Sequence, residues 1–129
     1  MGDRTNTVFR KADGSDIVLY QHWGGENMMH NLATALDAAR NRWNDESYCI
    51  RIVISNLIGD RWQQETGYGL STYIMDNEHS VPVLDFSDHT VALYGYEWDS
   101  TATCNLKDQK FRMPFGEFVK KFQKVLTTA

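Results

Sequence analysis

Tyr20-Gln21-His22-Trp23-Gly24-Gly25 is the stretch that most restricts what this chain can fold into. An apolar run with period-two alternation ends there, and an apolar run with helical spacing begins a few residues later. Two adjacent glycines break both periodicities, so a strand must stop and a helix must start within one short junction. Upstream, Ala12-Asp13-Gly14-Ser15 separates two short apolar runs, and Asp-Gly is a hairpin turn signal. Residues 7–10 and 17–22 are therefore expected to be paired strands. In the second strand Ile17, Leu19 and Gln21 share one face; Val18, Tyr20 and His22 share the other. Both faces are apolar at first, which places this strand inside a sheet.

Beyond the glycines, Met29, Leu32, Leu36, Ala39 and Trp43 recur at steps of three and four. That spacing predicts a helix over residues 26–43, with Glu26 at its positive end and Arg40 and Arg42 at its negative end. Residues 49–54 (Cys-Ile-Arg-Ile-Val-Ile) fit either a β-branched strand or a buried helix face. A cap at Asn44 or Asp45 favours helix. Residues 56–64 read as a loop. Residues 70–75 and 81–86 alternate as strands, with Asp76, Asn77, Glu78 and His79 as a polar turn between them. Residues 90–94 return after the turn at Ser87, Asp88 and His89. Residues 96–109 read mostly as loop, and residues 110–113 as a last short strand. Pro114 suits the start of a final helix. Its stripe is Phe115, Phe118, Val119, Phe122, Val125 and Leu126, with Lys120, Lys121 and Lys124 facing water. The expected fold is α+β: one domain over residues 1–129, an antiparallel sheet of four to six strands with about three helices packed on it.

Several function classes recede on composition. Thirteen basic against seventeen acidic residues, with no basic run, argue against direct nucleic-acid binding, which depends on neutralising phosphates. No acidic block suggests nucleic-acid mimicry. No apolar window is long enough for a membrane-spanning helix. Two cysteines, Cys49 and Cys104, are too few for a disulfide framework, and with no signal sequence evident the expected setting is cytoplasmic. Neither cysteine has a hydrolase signature around it, and Ser71 beside Gly67 and Gly69 does not form a nucleophile elbow.

Three constellations remain. His22 and Trp23 could contact a ligand, with Gly24 and Gly25 letting an anion approach a helix N-terminus; Gly67, Tyr68 and Gly69 are expected to meet them. The plainer reading makes Trp23 core and the glycines a tight turn. His22, Asp76, Glu78 and His79 could hold a divalent metal or act as an acid–base set, against the plainer reading of a solvated turn. Tyr96 and Trp98 could anchor a partner protein, or could simply cover an open sheet face. No motif specifies a cofactor.

Met1-Gly2-Asp3-Arg4, then Leu19 through Gly25, Tyr48 with Arg51, and Glu65-Thr66-Gly67-Tyr68-Gly69-Leu70-Ser71 resemble a family of small uncharacterised proteins. Such proteins are carried by tailed bacteriophages, prophages and their bacterial relatives. The likeness spans roughly residues 1–94 and implies a genomic setting, with no activity, cofactor or catalytic residue attached. The expected function is therefore that of a non-enzymatic phage-type accessory protein in the host cytoplasm, binding a host macromolecule, with counter-defence as one use. The alternative is a small-ligand protein that binds or sequesters a nucleotide or other anion through the two glycine loops. A third is a small metal-dependent or acid–base hydrolase.

Overall fold

The structure, a computed structural model, describes residues 2–123. Six strands form one sheet: β1 (Thr5–Arg10), β2 (Asp16–Gln21), β3 (Tyr68–Ser71), β4 (Val81–Asp85), β5 (Thr90–Trp98) and β6 (Cys104–Pro114). Three helices, α1 (Met28–Ala38), α2 (Glu46–Ile58) and α3 (Phe115–Phe122), complete the α+β fold. The sheet order is β3-β2-β1-β4-β5-β6. Every neighbouring pair is antiparallel except β1 and β4, which run parallel through Val8, Phe9 and Arg10. The sheet is thus mostly antiparallel, as expected, with one parallel pair at its centre. The parallel pair arises because the chain enters β4 from the far edge, after β3, and slots in beside β1.

The alternation of β1 and β2 sorts the core into two. Phe9, Leu19, Leu84 and Val91 face the helices and join Leu32, Leu36, Val53, Phe115 and Phe118 in the main core. Val8, Val18, Val81 and Val83 face the other way and form a smaller cluster with Ile74, Tyr94, Tyr96 and Leu106. No helix among the described residues covers that second face. Residues 72–80 cross it instead, an irregular segment whose backbone groups must find partners outside any ladder.

Asn6, fully buried in β1, supplies them. Its amide nitrogen donates to the carbonyls of Met75 (3.3 Å) and Asp76 (3.0 Å) and to Asn77 Oδ1 (3.2 Å). Its oxygen accepts from the Met75 N–H at 3.3 Å. Tyr96 Oη adds a bond to the Asn77 carbonyl at 3.2 Å.

Several element boundaries differ from the sequence expectation, each for a local reason. α1 starts at Met28, because Asn27 takes a left-handed conformation (φ 57°) and leaves Glu26 in the preceding turn. It ends at Ala38, and Trp43 Nε1 bonds the Leu36 carbonyl at 2.9 Å, closing that end with the ring that was expected to continue the stripe. The ambiguous stretch is helix. α2 buries Cys49, Ile50, Val53, Ile54 and Ile58 on one face and runs two residues past the expected loop start. β3 begins at Tyr68 and stops at Ser71, whose hydroxyl bonds the backbone of Tyr73 in a local turn. The largest departure is β5 and β6, a long hairpin over a tract read as loop. Asp99 turns it: its Oδ1 accepts from the Thr101 and Thr103 N–H groups at 2.8 and 3.1 Å, and its Oδ2 from Asn105 at 3.0 Å. These bonds hold the Asp99 carboxyl well below the usual carboxylate range, the Thr101 hydroxyl first among them. Register shifts around Tyr94 hid the strands by breaking their alternation. Val125 and Leu126, with Lys124, lie outside the described residues.

Asn6→Ala should strip the crossover of four bonds. It is expected to cost about 2 kcal/mol in urea unfolding, since the partly buried carbonyls of Met75 and Asp76 lose their donor. Acid should weaken the fold as well. Burial raises the Asp85 carboxyl, but the Ser87 hydroxyl and amide, then Arg112 (2.9 Å), outweigh it and leave it below its ordinary value. A depressed folded value means stability present above the unfolded pKa of about 4 and lost as pH falls through the folded one. Asp85→Asn should flatten the loss measured by thermal unfolding below about pH 4.

Candidate functional site

The two glycine clusters do meet. Tyr20 pairs with Gly69 and Gln21 with Tyr68, and the His22 N–H donates to the Gly67 carbonyl at 2.9 Å. Gly67 has φ +100°, and the Trp23 ring lies directly over it. Trp23 is therefore a surface indole and not core. His22 stacks edge-on to Trp23 at 4.6 Å and bonds Tyr20 Oη through Nδ1 at 2.8 Å.

Gly24 and Gly25 have an internal job. Their N–H groups donate to the Asp3 carbonyl at 3.0 and 3.2 Å, while the Asp3 N–H reaches the His22 carbonyl at 2.7 Å. A Cβ on Gly24 would overlap Thr5 Oγ1, and one on Gly25 would overlap the Asp3 carboxylate. The glycines let the N-terminal segment press against the end of β2. Their amides, the donors expected for an anion, already hold backbone.

The proposed metal set is similarly engaged. Asp76 pairs with Arg4 Nε at 3.2 Å, and Glu78 accepts the Arg4 N–H at 2.8 Å. His79 pairs with Asp3, and His22 with Tyr20. Among the described residues, no group of three or more His, Cys, Asp or Glu side chains comes together as metal ligands. Burial pushes the Cys49 thiol up to about 12 and raises Cys104 too, so neither is poised as a thiolate. Tyr96 is half-buried over the crossover, with Trp98 edge-on to it at 6.3 Å; Trp98 is exposed.

Trp23 and Tyr68, singled out in the sequence, join side chains that were not in building a concave surface. A cleft of about 400 Å³ opens between the β2–β3 end of the sheet and helices α1 and α2. Trp23, Asn31, Asn56, Arg61 and Tyr68 are among its walls. A smaller apolar pocket of about 190 Å³ adjoins it, lined by Leu19, Trp62 and Leu70, and shares Ile58, Arg61 and Tyr68 with it. Arg61 donates to Tyr68 Oη at 3.3 Å and has no carboxylate partner among the described residues. Trp62 and Arg61 carried no periodicity or motif; an indole in a stretch read as loop was the one available signal.

Exposed apolar surface concentrates here too. Six large hydrophobic side chains are exposed among the described residues, and four of them, Trp23, Trp62, Leu70 and Tyr73, stand on or beside β3 at 52 to 66% exposure. β3 is an edge strand. With His22 and Gly67 hydrogen-bonded, antiparallel alternation aims Gly69 and Ser71 at β2 and leaves the N–H and C=O of Tyr68 and Leu70 facing outward. The opposite edge, β6, is built differently. It is bulged, Asp108 has φ 55°, and Lys107, Asp108, Lys110 and Arg112 line it. Charge and bulges of that kind block edge pairing.

Comparison of the chain with protein-family models, with curated proteins and with solved structures finds no match. No helix among the described residues is long and apolar enough to cross a membrane.

Gly24→Ala should destabilise the fold by about 1–3 kcal/mol, since the added methyl must displace β1. Thr5→Val should be neutral or stabilising in the same denaturation assay, because Thr5 Oγ1 is buried there without a hydrogen-bond partner.

Proposed function

We propose that this chain is a non-enzymatic accessory protein of the phage or prophage type, which acts by binding a host macromolecule, and that the β3 edge is the binding surface. The observation that carries the reading is the contrast between the two sheet edges. β6 carries charges and bulges, whereas β3 offers unpaired backbone groups ringed by exposed Trp23, Trp62, Leu70 and Tyr73. Exposed tryptophan and tyrosine of this kind are common energetic anchors of protein interfaces. The resemblance of residues 1–94 to phage-borne proteins supports the setting, and interference with a host defence is one use of such binding.

The 400 Å³ cleft favours a second reading, a small-ligand binding or sequestering protein. Trp23 could stack a planar group, the amides of Asn31 and Asn56 could read its edge, and Arg61 could take a single negative charge. This relocates the site from the glycine amides to side chains.

A tagged chain is expected to retain a specific protein from bacterial lysate, and Trp62→Ala should weaken that interaction about 30-fold, the loss of an interface anchor worth about 2 kcal/mol. Retention unchanged by substitutions at Trp62, Leu70 and Tyr73 would remove the β3 edge as the surface. For the second reading, a mononucleotide at 100 times its dissociation constant should add about 2.7 kcal/mol of stability in a thermal-shift assay, and Trp23→Ala should abolish the shift.

A further inference from the structure

We infer that what the β3 edge recognises is an extended peptide segment of the partner, which adds to the sheet as a seventh strand and carries an apolar and an acidic residue two positions apart. This inference rests on β3 being the docking surface and specifies what docks there.

Three features of the edge converge on that occupant. First, the outward N–H and C=O groups of Tyr68 and Leu70 form a ladder half. An extended backbone satisfies all of them at once, while a folded surface of side chains does not. Second, Tyr68 and Leu70 pair with Gln21 and Leu19, so their side chains lie on the helix side of the sheet. Residues of an added strand directly opposite them share that side, because alternate residues of a strand face the same way. The residue opposite Leu70 meets the pocket of about 190 Å³ walled by Trp62, Ile58 and Leu19, which suits one aliphatic or aromatic side chain. Third, the residue opposite Tyr68 meets Arg61, whose guanidinium is 3.3 Å from Tyr68 Oη and lacks a carboxylate partner among the described residues.

Charge then narrows the class. Arg61 is one cation, and Asp60 sits beside it in the wall of the neighbouring cleft. A single carboxylate is balanced there. A phosphorylated side chain, with close to two negative charges, is opposed by Asp60. The specificity element is therefore Asp or Glu two residues from an apolar anchor, with the chain direction deciding which comes first.

The test is selection of a random heptapeptide display library on the full chain, followed by affinity measurements with the synthetic winners from Trp fluorescence. The winners are expected to share an apolar residue and an Asp or Glu at positions i and i+2. Leu70→Pro removes one outward N–H but leaves the pairing with β2 intact, as an edge strand tolerates, and should weaken binding at least about tenfold. Arg61→Gln should weaken the acidic peptides about tenfold or more, the scale of a lost charged hydrogen bond, and should leave their Asn or Gln counterparts unchanged. Circular dichroism checks that Leu70→Pro is folded. If it is not, amide exchange on the unaltered chain decides: added peptide should protect the Tyr68 and Leu70 amides, which exchange freely without it.

Winners that lack the pattern, or that bind Leu70→Pro as tightly as the parent, would overturn the inference. So would a lysate partner that depends on Trp62 while no linear peptide binds: the docking surface would then stand and the extended peptide would fall. A partner indifferent to Trp62, Leu70 and Tyr73 would remove the surface itself.

Discussion

The Asn6 side chain holds together the part of this fold that no regular element can. The chain leaves the sheet at its β3 edge and must re-enter at β4, beside β1, without a helix to carry it across. Residues 72–80 make that crossing over the face opposite the helices, where their backbone groups would otherwise meet the valines of β1, β2 and β4. An apolar side chain at position 6 could pack there but could not bond Met75, Asp76 and Asn77. A polar residue in the middle of a strand is usually a cost; here it is satisfied on every side and sets where the parallel pair forms.

The N-terminal segment and the glycine pair follow the same logic. Asp3 bonds through its backbone to His22, Gly24 and Gly25, and through its carboxylate to His79, tying the start of the chain to both the β2 end and the crossover. Arg4 completes the tie through Asp76 and Glu78. Residue types that suggest catalysis in a sequence here neutralise one another at the partly exposed junction of the N-terminal segment and the crossover. Isolated surface pairs of this sort contribute little singly, and their value lies in fixing which segments adjoin.

With that polar cluster engaged internally, the exposed aromatic and apolar side chains gather most densely at the β3 edge and the cleft beside it. A sheet must end somewhere, and a bare end invites pairing. This chain blunts β6 with bulges and charge and leaves β3 with neither. The difference cannot be a demand of folding, since both edges face the same solvent. Trp23 and Trp62 stand exposed on the same side as Arg61, which makes the edge and its groove one surface.

Local patterns determined much of the architecture: the Asp13-Gly14 hairpin, the division of β2 between two faces, and the buried stripe of α2 once its cap was weighed. Those features follow from neighbours a few residues apart, which is the range over which a sequence pattern speaks. Three things depended on pairings that no local pattern marks and stayed hidden. Asn6 reads as an ordinary polar strand residue until Met75 and Asp76 lie against it. Residues 96–109 read as loop because two bulges and the Asp99 turn interrupt their alternation while β5 supplies the ladder. Trp62, Arg61 and Leu70 share no motif, and became one groove when α2 was laid beside an edge strand. The sequence by itself thus set most of the helices and strands and which of their faces are apolar. Tertiary structure decided which polar groups cancel and which remain open to a partner, because charge and hydrogen-bond complementarity are properties of distance in space.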